Sequence, residues 1–118
     1  MLKVNVTPRR GDIFLAEMCQ SKGSEQSGIR PVVIVQNDIG NRYSPTTIIV
    51  PLTSRKKRSL PTHVRIKHTE LKYISTALCE QVTTISVLRL LKYIGSLDEK
   101  EMIKIDKSLG TSLDFRRK

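Results

Sequence analysis

The sequence predicts a small antiparallel β barrel carrying one helix at its C-terminal end, and three observations carry that prediction. Short runs of β-forming residues recur between turn signals at 13–18, 32–35, 46–50, 64–67, 76–82 and 91–95. None of the intervals between them has β-α-β spacing, so a parallel sheet is not expected. A sustained helical period sets in only beyond residue 96, where Met102, Ile105 and Leu109 fall on one face.

Each element has its own local reason. The first strand, 13–18, follows a turn between Pro8 and Gly11-Asp12. The second, Val32-Val33-Ile34-Val35, is a continuous β-branched run bounded by turn residues, as a fully buried strand would be. Residues 36–42 are polar and rich in turn formers, and are expected to be a connection. The third strand, 46–50, aims at Thr53. Residues 55–59 hold four consecutive positive charges and no apolar side chain, the composition of an exposed loop or hairpin tip. Val64-Arg65-Ile66-Lys67 alternates apolar and basic, which gives a strand one wet face. Residues 76–82 read as a further strand, 84–90 as a brief helix and 91–95 as the last strand. Ser96 with Glu99 has the form of a capping box, and Gly110 is placed to end the helix that follows.

A chain of 118 residues fits one domain, 1–118, with a single core that a second copy would help to cover. No apolar run approaches a membrane-spanning length and no signal-peptide pattern opens the chain, so a soluble, cytoplasmic protein is expected. Cys19 and Cys79 lie far apart, and no His or Cys pair has metal-ligand spacing. Neither a disulfide framework, a metal site nor a cofactor is therefore expected. With 21 Lys and Arg against 11 Asp and Glu, the net charge of +10 favours a polyanionic partner, nucleic acid first and an acidic protein segment second. The positives cluster at Arg9-Arg10, at 55–58, at Arg65 and Lys67, and at 116–118, which argues against charge serving solubility alone. With only three tyrosines and two phenylalanines, base stacking can contribute only locally.

The most informative motif is Gly23-Ser24-Glu25-Gln26-Ser27-Gly28-Ile29-Arg30-Pro31, running directly into the second strand. Pro31 pushes Arg30 toward an extended conformation, so the loop delivers one arginine to a defined place. A guanidinium held there, beside an acidic and an amide side chain, suits a phosphodiester and the extra charge of its transition state. Further blocks follow in order: Gln36-Asn37-Asp38-Ile39-Gly40-Asn41-Arg42, Pro51-Leu52-Thr53, Leu60-Pro61-Thr62-His63-Val64 and Cys79-Glu80-Gln81-Val82-Thr83-Thr84-Ile85. With Arg10-Gly11-Asp12 at the start and Leu97-Asp98 at the end, these blocks resemble the MazF/PemK family of toxin endoribonucleases, its EndoA-like Gram-positive branch most of all.

The resemblance implies an SH3-like barrel of the MazF/Kid/CcdB type, a homodimer, an acidic antitoxin of MazE type and cleavage of single-stranded RNA without metal. It also implies that Arg30 and Thr53 are catalytic. Such chemistry activates the ribose 2′-hydroxyl, stabilises the phosphorane and releases the 5′-oxygen, leaving a 2′,3′-cyclic phosphate. A guanidinium is no base at neutral pH but can hold two phosphate oxygens, so Arg30 is assigned charge stabilisation. Thr53 can donate its hydroxyl hydrogen to the same phosphate. Read without the family, it is an ordinary strand hydroxyl. Glu25 serves as base or orients Arg30, and the sequence does not separate these roles.

Gln26, Gln36, Asn37 and Gln81 carry amides able to read base edges or hold sugar hydroxyls, Gln81 being favoured by its family block. Arg55, Lys56, Lys57 and Arg58 read as a clamp on RNA phosphates or as a solvated loop, with equal weight. A histidine mechanism through His63 and His68 is disfavoured, since His68 belongs to no family block. A non-catalytic nucleic-acid-binding barrel and a fold-related toxin that poisons DNA gyrase are the competing readings. The matching Glu-Gln…Arg-Pro and Thr53 blocks favour the ribonuclease, because function belongs to the site and not to the barrel.

Overall fold

The structure is a computed structural model that describes residues 7–18, 28–55 and 59–115. Its elements are β1 (Asp12–Met18), β2 (Gly28–Ile34), α1 (Asp38–Tyr43), β3 (Thr46–Thr53), β4 (His63–Ile66), β5 (Ser75–Leu78), β6 (Thr83–Ser86), β7 (Leu90–Ser96) and α2 (Glu99–Ser112). The strands form one antiparallel sheet in the order β4-β5-β3-β2-β1-β7, with β6 also on β3. The predicted class therefore stands. The sheet is open, however: among the described residues no ladder joins β4 at one end to β7 at the other.

β3 is the spine of the sheet. One of its edges pairs with β2, from Ile34↔Ile49 to Val32↔Pro51, and the other takes β6 along Thr46–Ile49 and then β5 at Leu52 and Thr53. Alternation along the strands sorts the apolar residues onto two faces. Ile13, Val33, Val50, Leu52, Val64, Ile66 and Ala77 form one cluster, covered by Leu97, Met102 and Ile105 from α2 and its approach. Phe14, Ala16, Val32, Ile34, Ile49, Ile85 and Leu90 form the second. Met102, Ile105 and Leu109 thus serve as the helical period predicts.

Several local expectations are corrected. The polar connection at 36–42 contains α1, because Asn37 caps it: its Oδ1 accepts from Gly40 N–H at 2.8 Å. The strand expected over 76–82 stops at Leu78, and Cys79–Gln81 is a 3₁₀ turn. The brief helix expected over 84–90 is β6 followed by a 3₁₀ turn over Val87–Arg89, since pairing with β3 overrides local apolar density. The capping box is two residues later than expected. Asp98 Oδ1 accepts from Glu101 N–H at 2.8 Å and Glu101 reaches back to Asp98 N–H, while Ser96 still belongs to β7.

The helix also runs past Gly110 to Ser112. It ends in a Schellman arrangement in which Asp114 takes the left-handed conformation (φ 56°) and Phe115 N–H reaches Gly110 C=O at 2.8 Å.

The Arg10-Gly11-Asp12 motif is a junction of three elements. Arg10 forms an ion pair with Asp106 of α2, and its Nε donates to Val35 C=O at 3.1 Å. Gly11 N–H donates to Ile34 C=O and Gly11 C=O accepts from Leu97 N–H. Asp12 accepts from Arg9 N–H and from Ser96 Oγ, each at 2.9 Å. The motif binds the start of β1 to the ends of β2 and β7.

Candidate nucleic-acid interface and catalytic centre

Sheet register decides which candidate residues meet. Arg30 is opposite Ala16 on β1, and Thr53 is opposite Thr76 on β5. Continuing the β2–β3 register two residues beyond Val32↔Pro51 brings Arg30 opposite Thr53. Both belong to the second-cluster face, since Arg30 is in step with Val32 and Ile34 while Thr53 is in step with Ile49. Residues 23 apart in the chain are thus cross-strand neighbours at the end of the sheet where the Gly23–Pro31 motif arrives.

Arg30 is half-buried and Thr53 is 2% exposed. Thr53 Oγ1 accepts from Arg55 N–H at 3.2 Å, a bond that uses an oxygen lone pair and leaves the hydroxyl hydrogen to donate. A cavity of about 390 Å³ opens beside Arg30, walled by Ser54, Lys72, Tyr73, Lys92 and Tyr93, with one carboxylate, Glu70, against these cations. Tyr93 is held in place on that wall: its ring stands edge-on to Phe14 at 5.6 Å, and its hydroxyl lies 2.8 Å from Ser96 Oγ. A second cavity, of about 360 Å³, shares Ser54 with the first and is lined by Arg55, His63, Arg65 and Thr76. Among the described residues that line this second cavity, none is acidic.

Of the remaining candidates, Arg55 adjoins this centre, Gln36 and Asn37 lie apart from it, and most of the others fall outside the described residues. Gln36 and Asn37 follow the far end of β2, six and seven residues beyond Arg30, which at ~3.3 Å per residue is ~20 Å along the sheet. Gln36 Nε2 donates to Asn41 Oδ1 and Thr46 C=O, at 3.1 and 3.0 Å, and Asn37 is the cap of α1. Gln81 is half-buried in the 3₁₀ turn between β5 and β6. Arg55 is exposed on the second cavity. Glu25, Gln26, Lys56, Lys57, Arg58 and Cys19 lie outside the described residues.

Electrostatics separate structural groups from candidate chemical ones. His63, with 7% of its side chain exposed, places Nε2 2.9 Å from Glu80 Oε2, and Thr62 Oγ1 donates to the other Glu80 oxygen at 3.0 Å. Burial, the largest single influence on Glu80, raises its pKa, but the hydrogen bonds from His63, its own backbone and Thr62 together hold it below the ordinary value. His68 packs against β7, with Nδ1 accepting from Glu70 N–H at 3.1 Å. Burial first, then the nearby charges of Glu80 and Asp106, push the Cys79 thiol up to about 12. Such a thiol is no nucleophile. Among the described residues, no three His, Cys, Asp or Glu side chains are grouped so as to hold a metal ion, and no helix is long and apolar enough to cross a membrane.

The family model of PemK-like, MazF-like toxins of type II toxin–antitoxin systems matches residues 9–113. The chain belongs to this family. It is 46% identical over 108 residues to endoribonuclease MazF of Staphylococcus epidermidis, spanning 89% of this chain and 90% of that protein. It is 45% identical over 108 residues to endoribonuclease EndoA of Bacillus subtilis (strain 168), spanning 89% and 93%. A solved mycobacterial endoribonuclease in complex with its cognate antitoxin shares the fold with a TM-score of 0.77 at 25% identity, over 94% of this chain and 99% of that one.

Sequence reasoning missed Arg65, Thr76 and Tyr93. The alternation at 64–67 already put Arg65 on an outward face, but its place in one row with Thr53, across Thr76, depends on the pairing of β4 and β3 with β5.

Proposed function

We propose that this chain is a metal-independent, sequence-selective endoribonuclease toxin that cuts single-stranded RNA, with Arg30 and Thr53 as its catalytic pair. Endoribonuclease activity follows from family membership and from curated relatives at 45–46% identity. The observation that carries the finer reading is the register that runs Arg30, on the wall of the first cavity, opposite Thr53. Cross-strand neighbours at this register carry a fork of guanidinium donors and a hydroxyl hydrogen on adjacent strands, within side-chain reach of one phosphate. That is what a phosphorane requires, because its equatorial oxygens gain charge as the 2′-oxygen attacks. Arg30 stabilises that charge and Thr53 donates to one of the same oxygens. The 2′-proton goes to a base, for which Glu25 is the carboxylate in the motif, and the 5′-oxygen leaves as the P–O5′ bond breaks, taking a proton from solvent water to become a hydroxyl.

The partners follow from the same surface. A +10 chain with two basic cavities meeting at Ser54 attracts an acidic antitoxin as well as RNA, and the two compete for the groove. The mycobacterial neighbour solved with its antitoxin supports such a partner. We further propose a homodimer, acting in the cytoplasm where mRNA is accessible.

The test is incubation of the purified protein with a long single-stranded RNA in excess EDTA, followed by mapping of cut sites and end groups. Cuts at a recurring sequence with 2′,3′-cyclic phosphate and 5′-hydroxyl ends are expected. Strict dependence on added magnesium would overturn the chemistry, and binding without cutting would favour a non-catalytic nucleic-acid-binding barrel.

A further inference from the structure

Thr53 has a second set of neighbours. On its β5 side it faces Thr76, and Thr76 faces Arg65 on β4. With Arg30 on the β2 side, the sheet carries one cross-strand row, Arg65–Thr76–Thr53–Arg30, spanning four adjacent strands on a single face. At ~4.8 Å between strands, Arg65 is ~10 Å from Thr53 and ~14 Å from Arg30, measured between backbones. Arg65 is exposed and lines the second cavity together with Thr76, Arg55 and His63. Arg65 and Thr76 line that cavity, Arg30 lines the first, and the two cavities share Ser54, so the two ends of the row open onto adjoining parts of one surface with Thr53 buried between them. An anion entering the β4 end of the row meets two guanidinium groups and a threonine hydroxyl, with no carboxylate among the described lining residues.

We propose that Arg65, with Thr76 beside it, binds an RNA phosphate next to the one that is cut, and so sets the register of the strand across Arg30 and Thr53. This rests on the ribonuclease reading above. Arg65 holds the substrate away from the reacting atoms, so its contact exists equally in ground and transition states. It therefore acts on KM and not on kcat. Phosphate contacts position and base contacts specify, so the preferred cleavage sequence is independent of Arg65.

The experiment compares wild type with Arg65→Gln and Arg65→Lys on an oligoribonucleotide carrying the preferred cleavage sequence. Two shortened versions of it are also used, each lacking the flanking phosphate on one side of the cut. On the full oligonucleotide, Arg65→Gln is expected to raise KM about tenfold, the loss of one charge-assisted contact, with kcat within about twofold of wild type. The shortened substrate that lacks the Arg65-bound phosphate should abolish the difference, while the other retains it. The salt dependence of RNA binding, measured in an Arg30→Ala background, should flatten by ~0.7 log units per decade of salt in Arg65→Gln. Arg65→Lys should restore that slope but only part of the KM, because a point charge lacks the fork.

Equal KM values and slopes for wild type and Arg65→Gln would overturn the proposal, as would a KM difference that survives both truncations. Wild type that cuts no RNA would instead defeat the ribonuclease reading, so the two failures are distinguishable.

Discussion

Substituting Gly95 with alanine tests how the wall of the Arg30 cavity is supported. Gly95 is in β7 opposite Ile13, and a Cβ built there would meet His68 Cε1 at 2.6 Å and Nε2 at 3.0 Å. Its backbone does not require glycine: among the described residues, the positive-φ glycines are Gly11 and Gly28. The hydrogen side chain is needed only for space, which the imidazole fills. The ring cannot swing away freely, because Nδ1 accepts from Glu70 N–H, while His68 C=O accepts from Leu71 N–H at 3.0 Å and holds the backbone beneath it. Those bonds open the turn whose next residues, Leu71 to Tyr73, line the cavity.

Overpacking at such a site costs ~1–3 kcal/mol, and releasing the ring sacrifices a hydrogen bond of ~1 kcal/mol, so ~1–2 kcal/mol is expected for Gly95→Ala. An unfolding entropy of ~0.25 kcal/mol/K for 118 residues makes this a fall in Tm of ~4–8 °C. In a His68→Ala background the clash is gone, and removing glycine from a strand should instead be neutral or stabilising by ~0.5 kcal/mol. Thermal melts of the four proteins at one protomer concentration give the coupling, expected at ~1–2.5 kcal/mol. The same Gly95→Ala penalty with and without His68 would refute the steric argument.

Glu80 has a folded pKa below its unfolded value, so its contribution to stability is present above the unfolded value and is lost as pH falls through the folded one. The Tm gap between wild type and Glu80→Gln should therefore be open at pH 6 and close on acidification below about pH 4. A gap independent of pH would sink that account. Thr53→Ala should lower kcat strongly while Tm falls by no more than ~4 °C, the worth of its one bond to Arg55 N–H, and Thr53→Ser should recover most of the rate. Normal cutting by Thr53→Ala would reduce Thr53 to a strand hydroxyl.

What was legible in the sequence was local. The β-branched run at Val32–Val35 and the alternation at Val64–Lys67 showed where strands are, and Met102, Ile105 and Leu109 showed the helix face. Errors fell where tertiary pairing outweighs local signal. The apolar stretch after Thr83 is a strand because β3 offers it an edge, and Ser96 is not a helix cap because Asp12 and Tyr93 engage its hydroxyl. Gln36 and Asn37 look like ligand-binding amides in a polar loop. Their internal bonds to Thr46 and Gly40 became visible only once α1 had folded back. Arg30 and Thr53 could be named from their motifs, whereas Arg65 and Thr76 needed the strand order before they joined the same row.

The most direct measurement of the central claim is single-turnover RNA cleavage in EDTA by wild type, Arg30→Ala and Arg30→Lys, each shown by its melting curve to be folded. Loss of transition-state charge stabilisation should lower the rate at least ~10²-fold in Arg30→Ala, and lysine should fail to restore it, because one ammonium cannot span two phosphate oxygens. A lysine variant that cuts at close to the wild-type rate would contradict the account, showing that Arg30 supplies only a positive charge.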